Sequence, residues 1–192
     1  MNEKLKRTFL CFPVPMEVKS KKNMLYSTLE GSPAQINWVK NDNLHLTLKF
    51  IGYTTESQIP RIINILSRIT IKYKPFQLVI NNTGCLPKKE RPRTLFLGVE
   101  GQTNILKDLF QNIETEFEKI DIEKDRNDFF PHITLARIKY PQTHTPDIDL
   151  FLKSSYDPID LSLDRVQFFS SELLPSGAIY TLLKTFPLGE QV

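Results

Sequence analysis

Two short stretches of the chain, Leu44-His45-Leu46-Thr47-Leu48 and Pro131-His132-Ile133-Thr134-Leu135, repeat one pattern of residue types. In each, an imidazole and a hydroxyl stand two positions apart, interleaved with aliphatic side chains. Alternation of period two marks a strand, because successive side chains point to opposite faces of a sheet. In the first stretch it predicts His45, Thr47 and Lys49 on one face and Leu44, Leu46, Leu48 and Phe50 on the other. In the second, His132 and Thr134 oppose Ile133 and Leu135. A fold of this chain therefore has to bury two aliphatic stripes while leaving two His-Thr faces uncovered. One His-x-Thr strand needs no explanation beyond the β preference of threonine. Two copies in matching contexts, in a chain with three histidines, point to a shared role.

The remaining periodicities place these strands in a mixed fold. Residues 7–13 (RTFLCFP) read as a strand, and residues 16–31 as a helix carrying Val18, Met24, Leu25 and Leu29, stopped near Gly31. The first His-x-Thr strand extends over 43–52. A helix over 57–71 turns Ile59, Ile62, Ile63, Leu66 and Ile69 inward, and a second over 105–120 does the same with Leu106, Leu109, Phe110, Ile113 and Phe117. Strands are expected at 76–82, 94–100, 129–138, 159–170 and 178–186, the last two joined across Pro175-Ser176-Gly177. Each half thus contains a strand–helix–strand stretch, as an old internal duplication would leave. No low-complexity linker divides them, so residues 1–192 are expected to form one domain of two intertwined lobes, each giving one His-x-Thr strand.

Composition narrows the function. Lys and Arg number 25 against 22 Asp and Glu, a net charge of +3, too small to hold nucleic acid by electrostatics alone. Two cysteines, Cys11 and Cys85, exclude a disulfide scaffold and a four-cysteine zinc site. No apolar run approaches the roughly 20 residues of a bilayer-spanning helix, and Pro13 and Pro15 cut short the apolar run at residues 8–12 that would otherwise serve as a signal peptide. A cytoplasmic, monomeric protein without membrane contact is expected. There is no Gly-rich phosphate loop and no Gly-x-Ser-x-Gly elbow, which argues against triphosphatases and serine hydrolases.

Two imidazoles that meet at one phosphoryl group suit an in-line displacement. The neutral one accepts a proton from water and the protonated one donates to the leaving oxygen, both states coexisting near an unperturbed pKa of about 6.5. Threonine hydroxyls at Thr47 and Thr134 can donate to phosphate oxygens. Arg137 offers a cationic fork, but five residues after His132 an ideal strand turns it away, so it can contribute only at a strand end, through a bulge or by reaching around the edge. A metal site is not expected, because each histidine has a threonine at ligand spacing. His144 sits in a proline-bracketed loop and reads as exposed, and both cysteines read as small hydrophobes. The basic loop at 88–93 reads either as a solvated loop or as one that offers Arg93 to a nucleic-acid backbone, and the Phe129-Phe130 pair offers Phe130 to a base, with at least one phenylalanine of the pair expected in the core.

His45-Leu-Thr47-Leu-Lys-Phe-Ile-Gly52 and Pro131-His132-Ile-Thr134-Leu-Ala-Arg137 resemble the paired motifs of the two-histidine phosphoesterase superfamily. Within it the chain is most similar to the RNA 2′,3′-cyclic phosphodiesterase (LigT) family. Arg7-x-Phe9, Trp38, Asn43-Leu44, Pro92-Arg93, Ser171-x-Leu173 and Gly177-x-x-Tyr180 carry the likeness along the chain. The resemblance implies a bilobal α+β fold, pseudo-duplicated, with two antiparallel sheets flanking a central cleft and helices outside. It implies metal-independent, cofactor-free hydrolysis of a 2′,3′-cyclic phosphate at an RNA or oligonucleotide end to a 2′-phosphate, the family also being associated with the reverse ligation of tRNA halves. By the same resemblance His45 is the proton donor, His132 the proton acceptor, and Thr47, Thr134 and Arg137 hold the phosphate. Two other readings share these residues: hydrolysis of a small cyclic nucleotide or cyclic ADP-ribose phosphate, and a non-catalytic module that binds RNA ends.

Overall fold

The computed structural model describes residues 5–174 and 177–189. In chain order it contains β1 (Leu5–Pro13), α1 (Glu17–Ser27), β2 (Ile36–Trp38), a 3₁₀ turn (Asn41–Asn43), β3 (His45–Thr55), α2 (Gln58–Thr70), β4 (Phe76–Leu86) and β5 (Thr94–Gly101). The second half adds α3 (Thr103–Glu118), β6 (His132–Ile138), α4 (Asp149–Lys153), β7 (Ile159–Leu163), β8 (Arg165–Leu174) and β9 (Gly177–Pro187). Pro175 and Ser176, expected in the turn before β9, lie outside the described residues.

The strands run β7-β4-β5-β6-β3-β1-β8-β9, every pairing antiparallel, with β2 extending the edge of β6. Two four-stranded halves, β7-β4-β5-β6 and β3-β1-β8-β9, meet where β3 and β6 touch at Leu46↔Ile133. The expected two antiparallel sheets are thus joined edge to edge, and the two His-x-Thr strands are the edges that meet. Exchanging β3 with β6 and β1 with β5 maps one half onto the other, which is the duplication read from the sequence.

One side of this sheet is aliphatic and carries the helices. Ile62, Ile65, Leu66 and Ile69 of α2 and Leu106, Leu109, Phe110, Ile113 and Phe117 of α3 are buried. They belong to one core with Leu46, Leu48, Ile133 and Leu135, each side chain worth about 1.5–3 kcal/mol of burial. From α1 the core takes Val18 and Leu25, whereas Met24, expected inward, is exposed. That helix stops at Ser27, before the expected Gly31, because Thr28 and Leu29 already close turns onto Leu25 and Tyr26; Gly31 completes the exit at φ +80°.

The strand expected over 159–170 is two strands with Asp164 between them. β7 pairs with β4 and β8 with β1, on opposite halves of the molecule. The inward phase explains the break: Ile159, Leu161 and Leu163 are buried, then Val166 and Phe168, so the alternation slips by one at Asp164. The strand expected from 129 begins at His132, since Pro131 has no N–H for the ladder. The short elements β2 and α4 carry too few residues to show a period and were not expected. Among the described residues, no helix is long and apolar enough to cross a membrane.

Candidate functional site

The contact at Leu46↔Ile133 decides how the two motifs face each other. Continued one residue either way, this antiparallel register puts His45 across from Thr134 and Thr47 across from His132. Leu46 and Ile133 point into the core, completely buried, so the four polar side chains share the opposite face of the seam. The two histidines are close enough for the charge of His132 to oppose protonation of His45.

Each imidazole is held in the same way. His45 Nδ1 lies 2.7 Å from the carbonyl oxygen of Asn43, and His132 Nδ1 lies 2.8 Å from that of Phe130. A carbonyl only accepts, so Nδ1 carries the proton in both rings and Nε2 is left to exchange protons with a ligand. The Asn43 side chain in turn donates to the Ala178 carbonyl at 2.8 Å, tying the His45 anchor to β9.

Both rings rest on phenylalanines. Phe9 packs 5.0 Å from His45 and also against Phe169 and Tyr180, and Tyr180 stands edge-on to His45. Phe96 lies 5.2 Å from His132. Phe9 and Phe96 are buried but lie outside the main core. Small neighbours make room for them: Gly84 sits across from Phe96, and a Cβ there would come within 2.3 Å of its ring. On the other half Cys11 faces Thr47, and burial pushes its thiol up to about 12, so it offers no thiolate at neutral pH.

The two strands share a further irregularity. β3 pairs Cys11↔Thr47 and then Leu10↔Lys49, while β6 pairs Phe96↔Thr134 and then Leu95↔Ala136. Each therefore carries one extra residue, Leu48 and Leu135, three positions after its histidine. Such a bulge exchanges the faces of everything beyond it. This brings Arg137 onto the histidine face, where its charge opposes protonation of both imidazoles. It also corrects the expectation for Lys49 and Phe50. Lys49 turns into the core, 1% exposed and paired with Glu114, whereas Phe50 emerges on the site face, 51% exposed and 6.0 Å from Phe9.

The seam face therefore holds two imidazoles, two hydroxyls and a guanidinium. Among the described residues the Thr47 and Thr134 hydroxyls make no hydrogen bond and Arg137 makes no ion pair, which leaves all three available to an anion. Both imidazoles titrate below their ordinary range, first because burial disfavours the cation and next against the backbone hydrogen bond that favours it; Arg137 lowers them further. Phe130, 53% exposed, stacks on His132, while Phe129 stacks on Phe110 at the core, dividing the pair as its alternation implies. Arg93 lies at the head of β5, over the Tyr140 ring at 5.9 Å and beside Arg91. His144 is exposed in its loop. Among the described residues, no group of three His, Cys, Asp or Glu side chains is placed to hold a metal ion. Sequence reading missed Phe9, Phe96, Phe169 and Gly84 as parts of the site; Phe9 and Phe96 are the detectable ones, as aromatic residues on strands flanking the motifs.

Comparison with known proteins gives the family and the fold. The model of the LigT like Phosphoesterase family matches residues 12–96 and 97–180, one segment around each motif. The chain is 31% identical over 183 residues to the RNA 2′,3′-cyclic phosphodiesterase of Methanothermobacter thermautotrophicus, covering 95% of this chain and 98% of that one. It is 32% identical over 181 residues to the protein of that name from Thermotoga maritima, covering 92% of each. The crystal structure of TT0787 of Thermus thermophilus superposes with a TM-score of 0.80 at 26% identity, over 96% of this chain and 100% of that one. Escherichia coli LigT with 3′-AMP shares the fold at a TM-score of 0.78 and 21% identity, over 97% of this chain and 100% of that one. Fold, paired motifs and similarity along nearly the whole length converge: the chain belongs to the LigT-like family of two-histidine phosphoesterases.

Proposed function

We propose that this protein is a hydrolase that opens the 2′,3′-cyclic phosphate at the 3′ end of RNA, leaving a 2′-phosphate, with no metal or cofactor. The observation that carries the proposal is the matched pair of imidazoles, each with Nδ1 fixed on the carbonyl two residues before it and Nε2 free on one face. Binding alone has no use for two such groups. An in-line displacement needs both, one on the entering and one on the leaving oxygen. The names of the relatives, RNA 2′,3′-cyclic phosphodiesterase, support the substrate.

In this reading water attacks phosphorus, and His132 Nε2 takes its proton. The P–O3′ bond breaks, and the Nε2 proton of His45 passes to O3′, giving the free 3′-hydroxyl. Thr47, Thr134 and Arg137 hold the non-bridging oxygens, where charge accumulates in the transition state. His45 and His132 take the donor and acceptor roles that the family resemblance implies. Phe130 and Arg93 are proposed RNA contacts, and the working form is proposed to be a cytoplasmic monomer.

The test is hydrolysis of an oligoribonucleotide ending in a 2′,3′-cyclic phosphate, with chelator present and the product resolved. A 2′-phosphate formed at an undiminished rate is expected; a 3′-phosphate product or loss of activity to chelator ends the mechanism.

The pH dependence follows from the direction of the imidazole shifts. The active free enzyme has one histidine neutral and the other protonated. Since both pKa values lie below about 6.5, the protonated partner is lost on the acid side of that value as pH rises. The bell for kcat/KM should therefore peak below about pH 6.5. A bound phosphate anion favours the imidazolium, so the kcat bell should lie at higher pH. A kcat/KM profile centred above pH 7 would contradict the burial-driven shifts.

A further inference from the structure

Beyond the histidines, the site face of β1 and β3 carries a second set of groups that the chemistry does not use. The chain makes a second bulge between Thr8↔Gly52 and Phe9↔Phe50, with Gly52 at φ +87°. This bulge again exchanges faces, and Tyr53 emerges beside Phe50 and directly across from Arg7. Tyr53 is 75% exposed, and Thr54 next to it is buried against Thr8, so the orientation of Tyr53 is fixed by the strand. Arg7 is exposed and makes no ion pair among the described residues, and its charge reaches Tyr180, the ring that stands edge-on to His45.

Phe50 and Tyr53 line one side of a groove of about 500 Å³ along the edge of β3, shared with Ile51, Thr54 and Gln58, whose far wall is the segment 121–127. That wall carries Asp121, Glu123 and Asp125 beside Lys124 and Arg126, so it offers no net positive field; Lys124 is moreover paired with Glu118, and Asp125 with Lys49. On β1 the unpaired cation among the described residues is Arg7, which does not line the groove but stands across from Tyr53. Phe9, buried beneath them, touches both Phe50 of the groove and His45 of the site, so the two lie one ring apart.

We infer that this groove binds the single-stranded RNA immediately 5′ of the terminal cyclic phosphate, with bases stacked on Phe50 and Tyr53 and a backbone phosphate on Arg7. The inference rests on the proposed function. Exposed aromatic rings in series with a cation on one edge are what sequence-tolerant binding of single strands uses, since every base has a π-face. A strand held this way runs from the Arg7 end toward the histidines and presents its 3′ end to them. The protein then selects oligonucleotides over mononucleotides through residues remote from the reacting atoms.

The test compares kcat/KM on 2′,3′-cyclic AMP and on a short oligoribonucleotide ending in a cyclic phosphate, for wild type, Tyr53→Ala and Arg7→Gln. Tyr53→Ala should lower the oligonucleotide value about tenfold, the loss that removing one stacking ring gives, and leave the mononucleotide value within about twofold. Arg7→Gln should flatten the salt dependence on the oligonucleotide alone. Equal losses on both substrates, or none on either, would overturn the groove assignment. If wild type turns over neither compound, the proposed function fails separately. Anisotropy of the labelled oligonucleotide then decides: weaker binding by Tyr53→Ala supports the track, and unchanged or absent wild-type binding overturns it.

Discussion

His132→Ala should lower turnover of a 2′,3′-cyclic phosphate by a factor on the order of 10²–10⁴, with substrate affinity kept within a few-fold. His45→Ala should behave alike. The side chains differ in partners yet are held identically, each by one hydrogen bond from Nδ1 to a carbonyl two residues back and by one phenylalanine beneath the ring. On the proposed mechanism, removing either ring takes away a proton-transfer group and leaves Thr47, Thr134 and Arg137 to hold the anion, so kcat should fall and KM should not. If the two imidazoles act as one unit, the double variant loses little more than the worse single variant. A purely structural pair of strand histidines predicts something else: small activity losses that track stability and affinity together. Single-turnover rates and a binding isotherm on the same variants separate these outcomes, and a kcat within threefold of wild type in either variant would end the two-histidine mechanism.

How much of this was legible beforehand depends on what each feature is made of. The His-x-Thr strands are a local alternation, and alternation survives folding; so do the helical stripes of α2 and α3, whose inward residues emerge buried as read or as near neighbours. Arg137 shows where local reading stops. Its offset from His132 is wrong for an ideal strand, and only the extra residue at Leu135 brings it to the site. A bulge is a property of two strands in register, and a single sequence states no register. The same omission misplaced Lys49 and Phe50, the one put on the histidine face and the other on the aliphatic face. The break at Asp164 was readable, because the aliphatic phase slips there, and reading residues 159–170 as one continuous strand overlooked it. Phe9 and Phe96 were legible as strand residues but not as floors of the two imidazoles, which required knowing that β1 lies beside β3 and β5 beside β6.

Lys49 bears the heaviest structural consequence of its bulge. Turned inward, its ammonium meets the Glu114 carboxylate on α3, the Glu123 carbonyl at 3.2 Å and Asp125 at 3.4 Å. Glu114 also accepts the Asp125 backbone N–H at 2.8 Å, so one buried pair ties β3 to α3 and to the segment that leads into His132. Both partners are more than nine-tenths buried. A buried pair adds little over a well-packed apolar replacement, because desolvation offsets most of the attraction, but removal of one partner strands the other's charge. Lys49→Met should therefore lower unfolding stability by about 3–5 kcal/mol, read as a fall in urea midpoint at unchanged slope. Pairing it with Glu114→Gln removes the stranded charge while keeping an oxygen for the Asp125 N–H, so the double variant should be more stable than Lys49→Met alone. Additive losses in the double variant would show that the two side chains are not coupled. The comparison also separates fold from chemistry: the double variant keeps every group on the histidine face, and its kcat at a temperature where it is folded should stay near that of wild type.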